Sequence, residues 1–218
     1  MVDVCETTAE AVAGIADGST VLIGGFGMAG MPVQLIEALI DQGATDLTVV
    51  SNNAGNGDTG LAALLAAKRV RKVICSFPRQ SDSWVFDSLY RAGQIELEVV
   101  PQGNLAERIR AAGAGIGAFF CPTGVGTQLA EGKETREIGG RTYVLEYPLS
   151  GDVALIGAYR SDRMGNLVYR KTARNFGPVM ATAATTTIVQ VQEIVETGVL
   201  DPEAVVTPSI YVDKVVAV

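Results

Sequence analysis

Short runs of aliphatic and β-branched residues alternate along the chain with segments whose apolar positions recur every three or four residues. The runs predict strands over 20–23, 47–51, 72–76, 96–100, 118–120, 141–145, 153–159, 167–170, 187–192 and 209–212. Amphipathic helices are predicted between the early ones. Pro32 stands at the favoured first-turn position of a helix whose Val33, Ile36, Leu39 and Ile40 share a face, and Gly43 ends it. Leu61, Leu64 and Leu65 mark a second helix. Val85, Phe86, Leu89 and Tyr90 mark a third, stopped by Gly93. A fourth is expected to start at Asn104, with Glu107 three residues on as its capping-box partner.

Strand–helix alternation of this kind implies an α/β fold: an open, mostly parallel, doubly wound sheet. The later part changes character. Residues 134–149 read as a β-hairpin turning at Gly139-Gly140, and "RSDRMGNLVYR" reads as two strands joined by a loop with Gly165-Asn166. There is no linker, low-complexity tract or repeat, so a single domain over residues 1–218 with a β-rich excursion is the simplest organisation.

Composition narrows the function. Apolar residues make up 48% of 218, enough for a substantial core. A net charge of −7 argues against a nucleic-acid binder or a basic membrane-surface protein. No charged segment leads into an apolar leader, so a cytoplasmic location is expected. The uncharged run Ala111–Ala130 is rich in glycine and threonine, which suits a buried turn-rich segment better than a membrane span. Cys5, Cys75 and Cys121 lie too far apart for a zinc site and are expected to be free buried thiols. With no histidine in the chain, Ser-His-Asp and Cys-His machinery and histidine metal ligands are excluded. Catalysis has to rest on carboxylates, amides, lysine or a group from another chain. No metal site is expected.

In "STVLIGGFGMAGMPVQLI" an apolar run leads into Gly25-x-Gly27-x-x-Gly30 and then a helix. Glycines there allow close backbone approach, and the helix start would offer N–H groups to an anion. A tight strand-to-helix turn with no ligand has the same pattern. A nicotinamide site also needs an acid at the end of the next strand. That strand ends Ser51-Asn52-Asn53, and Asp46 lies at its wrong end. Nicotinamide binding is therefore excluded, while another phosphate-bearing ligand stays open.

"DGSTVLIGGFGMAGMP" (Asp17–Pro32) resembles the signature of the A (α) subunits of family I coenzyme A-transferases. "SNNAG" (Ser51–Gly55), "PQGNLAERIRAAGAG" (Pro101–Gly115) and "TARNF" (Thr172–Phe176) are similar to that family too. The resemblance spans essentially the whole chain. Within the family it is stronger to the branch acting on 3-oxoadipate than to the acetoacetate-directed branch, which remains the alternative. A non-catalytic acyl-CoA-binding module is the more distant one.

The resemblance implies a doubly wound fold and an α2β2 assembly with a B (β) subunit. It implies coenzyme A as a substrate with no tightly bound cofactor, and transfer of CoA from succinyl-CoA to 3-oxoadipate through a glutamate nucleophile. By matching motifs, Gly24, Gly25, Phe26, Gly27, Met28, Ala29 and Gly30 would contact CoA. Asn53 and Gln102 would hold a substrate carboxylate or oxyanion, with Asn52 beside them. The family's Glu-Asn-Gly motif is absent here. The nearest fragment has Gly132 and Lys133 after Glu131, so the nucleophile is expected on the β partner. Arg79 follows a predicted strand and could meet an anion, although a solvated arginine is the simpler reading. Lys68, Arg69, Arg71 and Lys72 read as a solvated face, and Trp84 and Phe86 as core or interface.

Overall fold

A computed structural model describes residues 2–218. Its strands are β1 (Asp3–Cys5), β2 (Thr20–Ile23), β3 (Leu47–Val50), β4 (Val70–Cys75), β5 (Glu96–Val99), β6 (Phe119–Cys121), β7 (Thr135–Ile138), β8 (Arg141–Glu146), β9 (Gly151–Gly157), β10 (Arg160–Asp162), β11 (Leu167–Val168), β12 (Ala184–Val191), β13 (Glu193–Val195) and β14 (Lys214–Ala217). The helices are α1 (Thr8–Val12), α2 (Val33–Gln42), α3 (Leu61–Ala66), α4 (Trp84–Arg91), α5 (Gln102–Gly113) and α6 (Gly177–Ala181).

Eight strands form one parallel sheet in the order β1-β14-β12-β9-β2-β3-β4-β5. Alternate residues of its central strands serve two cores, because successive side chains leave opposite faces. Val21, Ile23 and Leu155 join α1 to α4 on one face, whereas Leu22, Ala154 and Ile156 join α5 and α6 on the other. From β2 the chain runs outward through β3, β4 and β5. The later strands β9, β12 and β14 run outward on the opposite side. The winding therefore reverses between β2 and β9. Such a switch point splays the two connections apart and leaves a crevice beyond the strands' carboxyl ends.

The excursion is a separate antiparallel sheet, β6-β8-β7. Its hairpin turns at Gly139 and Gly140, with φ 58° and 76°, the left-handed pair that a tight hairpin requires. β10 and β11 pair as the two-strand pattern predicts, and β13 joins them.

Several expectations are corrected. Helix α5 starts at Gln102, two residues before Asn104, because Pro101 fixes the entry to the helix. Asn104 therefore lies inside the helix and bonds Glu146, while Glu107 pairs with Arg110 instead of capping. The segment expected as a strand over 209–212 is a turn, with Tyr211 N–H closing on Pro208 C=O. The sheet strand follows at β14, and β1 has no counterpart among the expected strands. In Ala111–Ala130 only Ala111 is buried, since the segment crosses the surface to reach the excursion. Of the two residues expected as core or interface, Phe86 is core and Trp84, 61% exposed, is not part of it. Cys121 is only half-buried. The basic run is not simply solvated. Arg69 donates to Ile40 O near the end of α2 and to Gly43 O just beyond it, and Arg71 and Lys72 pair with carboxylates.

Candidate active site

The loops after β2, β3, β4 and β5 all emerge at the carboxyl edge of the sheet. The loop after β2 is a tight reversal. Phe26 N–H bonds Ala29 C=O at 3.0 Å and Ala29 N–H bonds Phe26 C=O at 3.2 Å. Gly27 at its tip takes φ 59° and has open space where a Cβ would point. Phe26 and Met28 stand out, each about half exposed. Gly30 is a different case, with φ 74° and a position where a Cβ would lie 2.6 Å from Ala173 O. Only glycine lets the loop lie this close against the Lys171–Arg174 turn.

One side chain holds the two together. Asn175 Oδ1 accepts from Gly25 N–H (3.1 Å) and Phe176 N–H (2.7 Å), and its Nδ2 donates to Ala29 C=O and Thr172 C=O (both 2.8 Å). All four capacities of the amide are used. The start of α2, expected to present N–H groups to an anion, is largely occupied. Pro32 has no N–H, Val33 N–H bonds Met31 C=O, and Leu35 N–H donates to Gln190 Oε1 at 3.1 Å. Gln190 lies on β12 beside Gly157 of β9, where a Cβ would stand 2.9 Å from Gly30 O.

On the other side of β2, Asn52 and Asn53 extend β3. Asn52 Oδ1 accepts from Ser76 Oγ and from Gln102 Nε2, both at 2.7 Å. Asn53 is 2% exposed. Its Oδ1 accepts from Gly55 N–H at 3.1 Å, and its Nδ2 is buried with no partner among the described residues. Gln102, the first residue of α5, is exposed at the edge. The structure thus joins Gln102 to Asn52 rather than to Asn53. The glycine loop follows β2 at the same edge, one strand over from Asn52, to which Gln102 is bonded. Arg79 is exposed and paired with Asp87 at 2.6 Å.

Partly buried Glu98 and buried Glu146 are both already engaged. Burial alone would raise the carboxyl of Glu98, but hydrogen bonds from Lys72 and Arg108 hold it below its ordinary value. Glu146, 4% exposed, accepts from Lys133 Nζ (2.8 Å) and Asn104 Nδ2 (3.2 Å). Sequence reasoning missed Asn175, Gln190 and the cations of the 170–174 turn. The only trace was the "TARNF" run, read as a whole.

A parallel sheet with a crevice at its switch point, a glycine loop beside it and amide donors at neighbouring strand ends is the arrangement in which open α/β folds bind ligands. The profile of the coenzyme A transferase family matches residues 5–218, and the chain belongs to that family. It is 71% identical to the A subunit of 3-oxoadipate CoA-transferase from Pseudomonas putida, over 98% of this chain and 92% of that protein. It is 53% identical to the A subunit of a probable succinyl-CoA:3-ketoacid coenzyme A transferase from Bacillus subtilis, over 98% and 89%. Its fold matches the acyl-CoA transferase of E. coli O157:H7 with a TM-score of 0.85 at 24% identity, covering 100% of this chain and 47% of that one. The chain therefore spans about half the length of that structure.

Proposed function

We propose that the chain is the A subunit of an enzyme that moves CoA from succinyl-CoA to 3-oxoadipate, and that a partner B subunit supplies the nucleophilic glutamate. The observation that carries the reading is the 71% identity to the corresponding subunit of a 3-oxoadipate CoA-transferase over nearly all of both chains. The partner's carboxylate attacks the thioester carbonyl, releasing CoA thiolate and leaving an acyl-glutamyl anhydride. The thiolate attacks the glutamyl carbonyl, succinate departs, and glutamyl-CoA remains. The same steps in reverse with 3-oxoadipate deliver its CoA ester.

Each addition puts negative charge on an oxygen that aimed amide donors can stabilise. Gln102 Nε2 carries two protons, and Asn52 takes one of them. The second is available for an oxyanion or a substrate carboxylate. Asn53 Nδ2, buried without a partner among the described residues, is the other such donor. Glu98 and Glu146 are locked in ion pairs, which favours a nucleophile from outside this chain. Coenzyme A acts as a substrate against the Gly24–Gly30 loop, and α2β2 is the proposed assembly.

The test is reconstitution. The chain by itself should transfer no CoA, and addition of the β partner should restore transfer. Hydroxylamine trapping followed by peptide mapping should place the glutamyl-CoA on that partner. A modified glutamate in this chain would overturn the division of labour. The 53% identity to the B. subtilis protein supports a second reading, with acetoacetate as acceptor. The ratio of kcat/KM for the two oxoacids decides between them.

A further inference from the structure

Beside the glycine loop lies a hollow of about 600 Å³ between Phe26, Ala29, Lys171 and Arg174, and a second of about 520 Å³ continues it past Gly30 to Tyr159, just beyond β9. The basic residues here are gathered on one turn and are not neutralised. Arg79, in the loop after β4 at the same edge, has a carboxylate, that of Asp87, within ion-pair distance. Arg170, Lys171 and Arg174 have none among the described residues, although the chain carries a net charge of −7. Arg170 lies over the Tyr159 ring, 5.6 Å from its centre. Lys171 and Arg174 are exposed on a turn that starts with Lys171 at φ 52°, a conformation rarely used by residues with a side chain.

Like charges gathered on one short turn repel each other, and an anion between them relieves the repulsion. The turn is also fixed in place. Asn175 bonds it to the glycine loop, and Gly30 lets the two backbones touch. A preorganised basic wall therefore faces a half-exposed aromatic ring, Phe26, across an open hollow. That combination suits a ligand with phosphates joined to a flat ring system.

We propose that this hollow is the subsite for the phosphate groups of the CoA thioester, with Lys171 and Arg174 as its cations, an inference that rests on the transferase reading above. Both the diphosphate and the 3′-phosphate of CoA have the required chemistry. The test uses the reconstituted A–B complex and the variant K171Q/R174Q, which keeps polar side chains and removes both charges from exposed positions. kcat/KM is measured with succinyl-CoA, succinyl-dephospho-CoA and succinyl-pantetheine, and CoA affinity is measured by calorimetry.

The variant should lose roughly ten- to a hundredfold in kcat/KM with succinyl-CoA and in CoA affinity, while succinyl-pantetheine, which has no phosphate, stays within about twofold. A loss confined to succinyl-CoA assigns the subsite to the 3′-phosphate. A loss shared by the dephospho ester assigns it to the diphosphate. Equal losses on all three esters, or none on any, overturn the proposal and leave the transferase reading standing. A parent complex that transfers from none of the esters overturns both.

Discussion

Gln102 Nε2 donates to Asn52 Oδ1 across 2.7 Å, tying the first residue of α5 to the end of β3. Ser76 Oγ donates to the same oxygen at 2.7 Å, so Asn52 is held from β4 as well. Asn52 therefore fixes which end of the Gln102 amide faces it and leaves one Nε2 proton directed elsewhere. Gln102→Ala in the A–B complex should lower kcat on the order of 10²–10³. Asn52→Ala keeps the donor but frees it to rotate, and should cost about tenfold. Steady-state kinetics on both variants checks this. A Gln102→Ala complex at parental kcat would remove the residue from the chemistry.

Asn175 should matter for stability as well as for the loop it holds. Asn175→Ala deletes four hydrogen bonds at a half-buried position. At a net ~1 kcal/mol each, less what water replaces, the cost is about 2–4 kcal/mol. Thermal unfolding should show a drop of roughly 5–12 °C for a chain of this size. A melting temperature within a degree or two of the parent would show that the contacts do not hold the loop.

The legible part of the fold is its densely apolar centre. Val21, Leu22 and Ile23 are fully buried, so β2 stands in the sequence as an aliphatic run, as do residues 153–156 of β9, while β3 is broken only by Thr48. The margins were harder. β1 has three residues, two of them exposed, and too little pattern to read. "SIYV" has strand composition, but after Pro208 it closes as a turn with Ile210 in solvent. In the candidate site, Gln102 and Asn53 stand out in the sequence through local motifs. The bond that orients Gln102 spans 50 positions and the Asn175 staple spans 150, and no local pattern reports contacts at such separations.

Tyr169 gives a pH signature. Burial, partly offset by its hydrogen bond with Thr207 Oγ1 at 2.8 Å, pushes its phenol up to about 12. The folded state therefore favours the neutral ring. This stabilisation is fully present below the unfolded value near 10 and is lost as pH rises towards 12. Spectrophotometric titration of the six tyrosines should show one late ionisation that Tyr169→Phe removes. Cys75, fully buried and also pushed up to about 12, should resist iodoacetamide in the native protein, while half-buried Cys121 reacts.

The buried ion pair of the excursion predicts an asymmetry. Lys133→Met strands the Glu146 carboxylate with only Asn104 as donor. The expected cost is about 2–3 kcal/mol, below the usual range for a broken buried pair because Lys133 is about a third exposed. Adding Glu146→Gln should restore most of it, since no charge is then left buried. Chemical denaturation of the two variants checks the order, and a double variant less stable than Lys133→Met contradicts it.

The glycine loop separates two roles that one motif would merge. At Gly27 a Cβ meets nothing within 4 Å, so Gly27→Val carries only the strain of a left-handed φ, roughly 1–2 kcal/mol. Its added bulk stands at the loop tip between Phe26 and Met28, where a bound CoA would pass. At Gly30 a Cβ would lie 2.6 Å from the backbone oxygen of Ala173, which cannot move without releasing the turn that Asn175 holds. Gly30→Ala should therefore lower the melting temperature well beyond Gly27→Val and loosen the basic wall at the same time. Gly27→Val should leave the fold intact and weaken CoA binding about tenfold or more, because close backbone approach at the tip is lost. Calorimetry on the assembled enzyme, read beside the melting curves, resolves the two. Unchanged CoA affinity in Gly27→Val would take the loop tip off the binding surface and leave Gly30 a purely structural glycine.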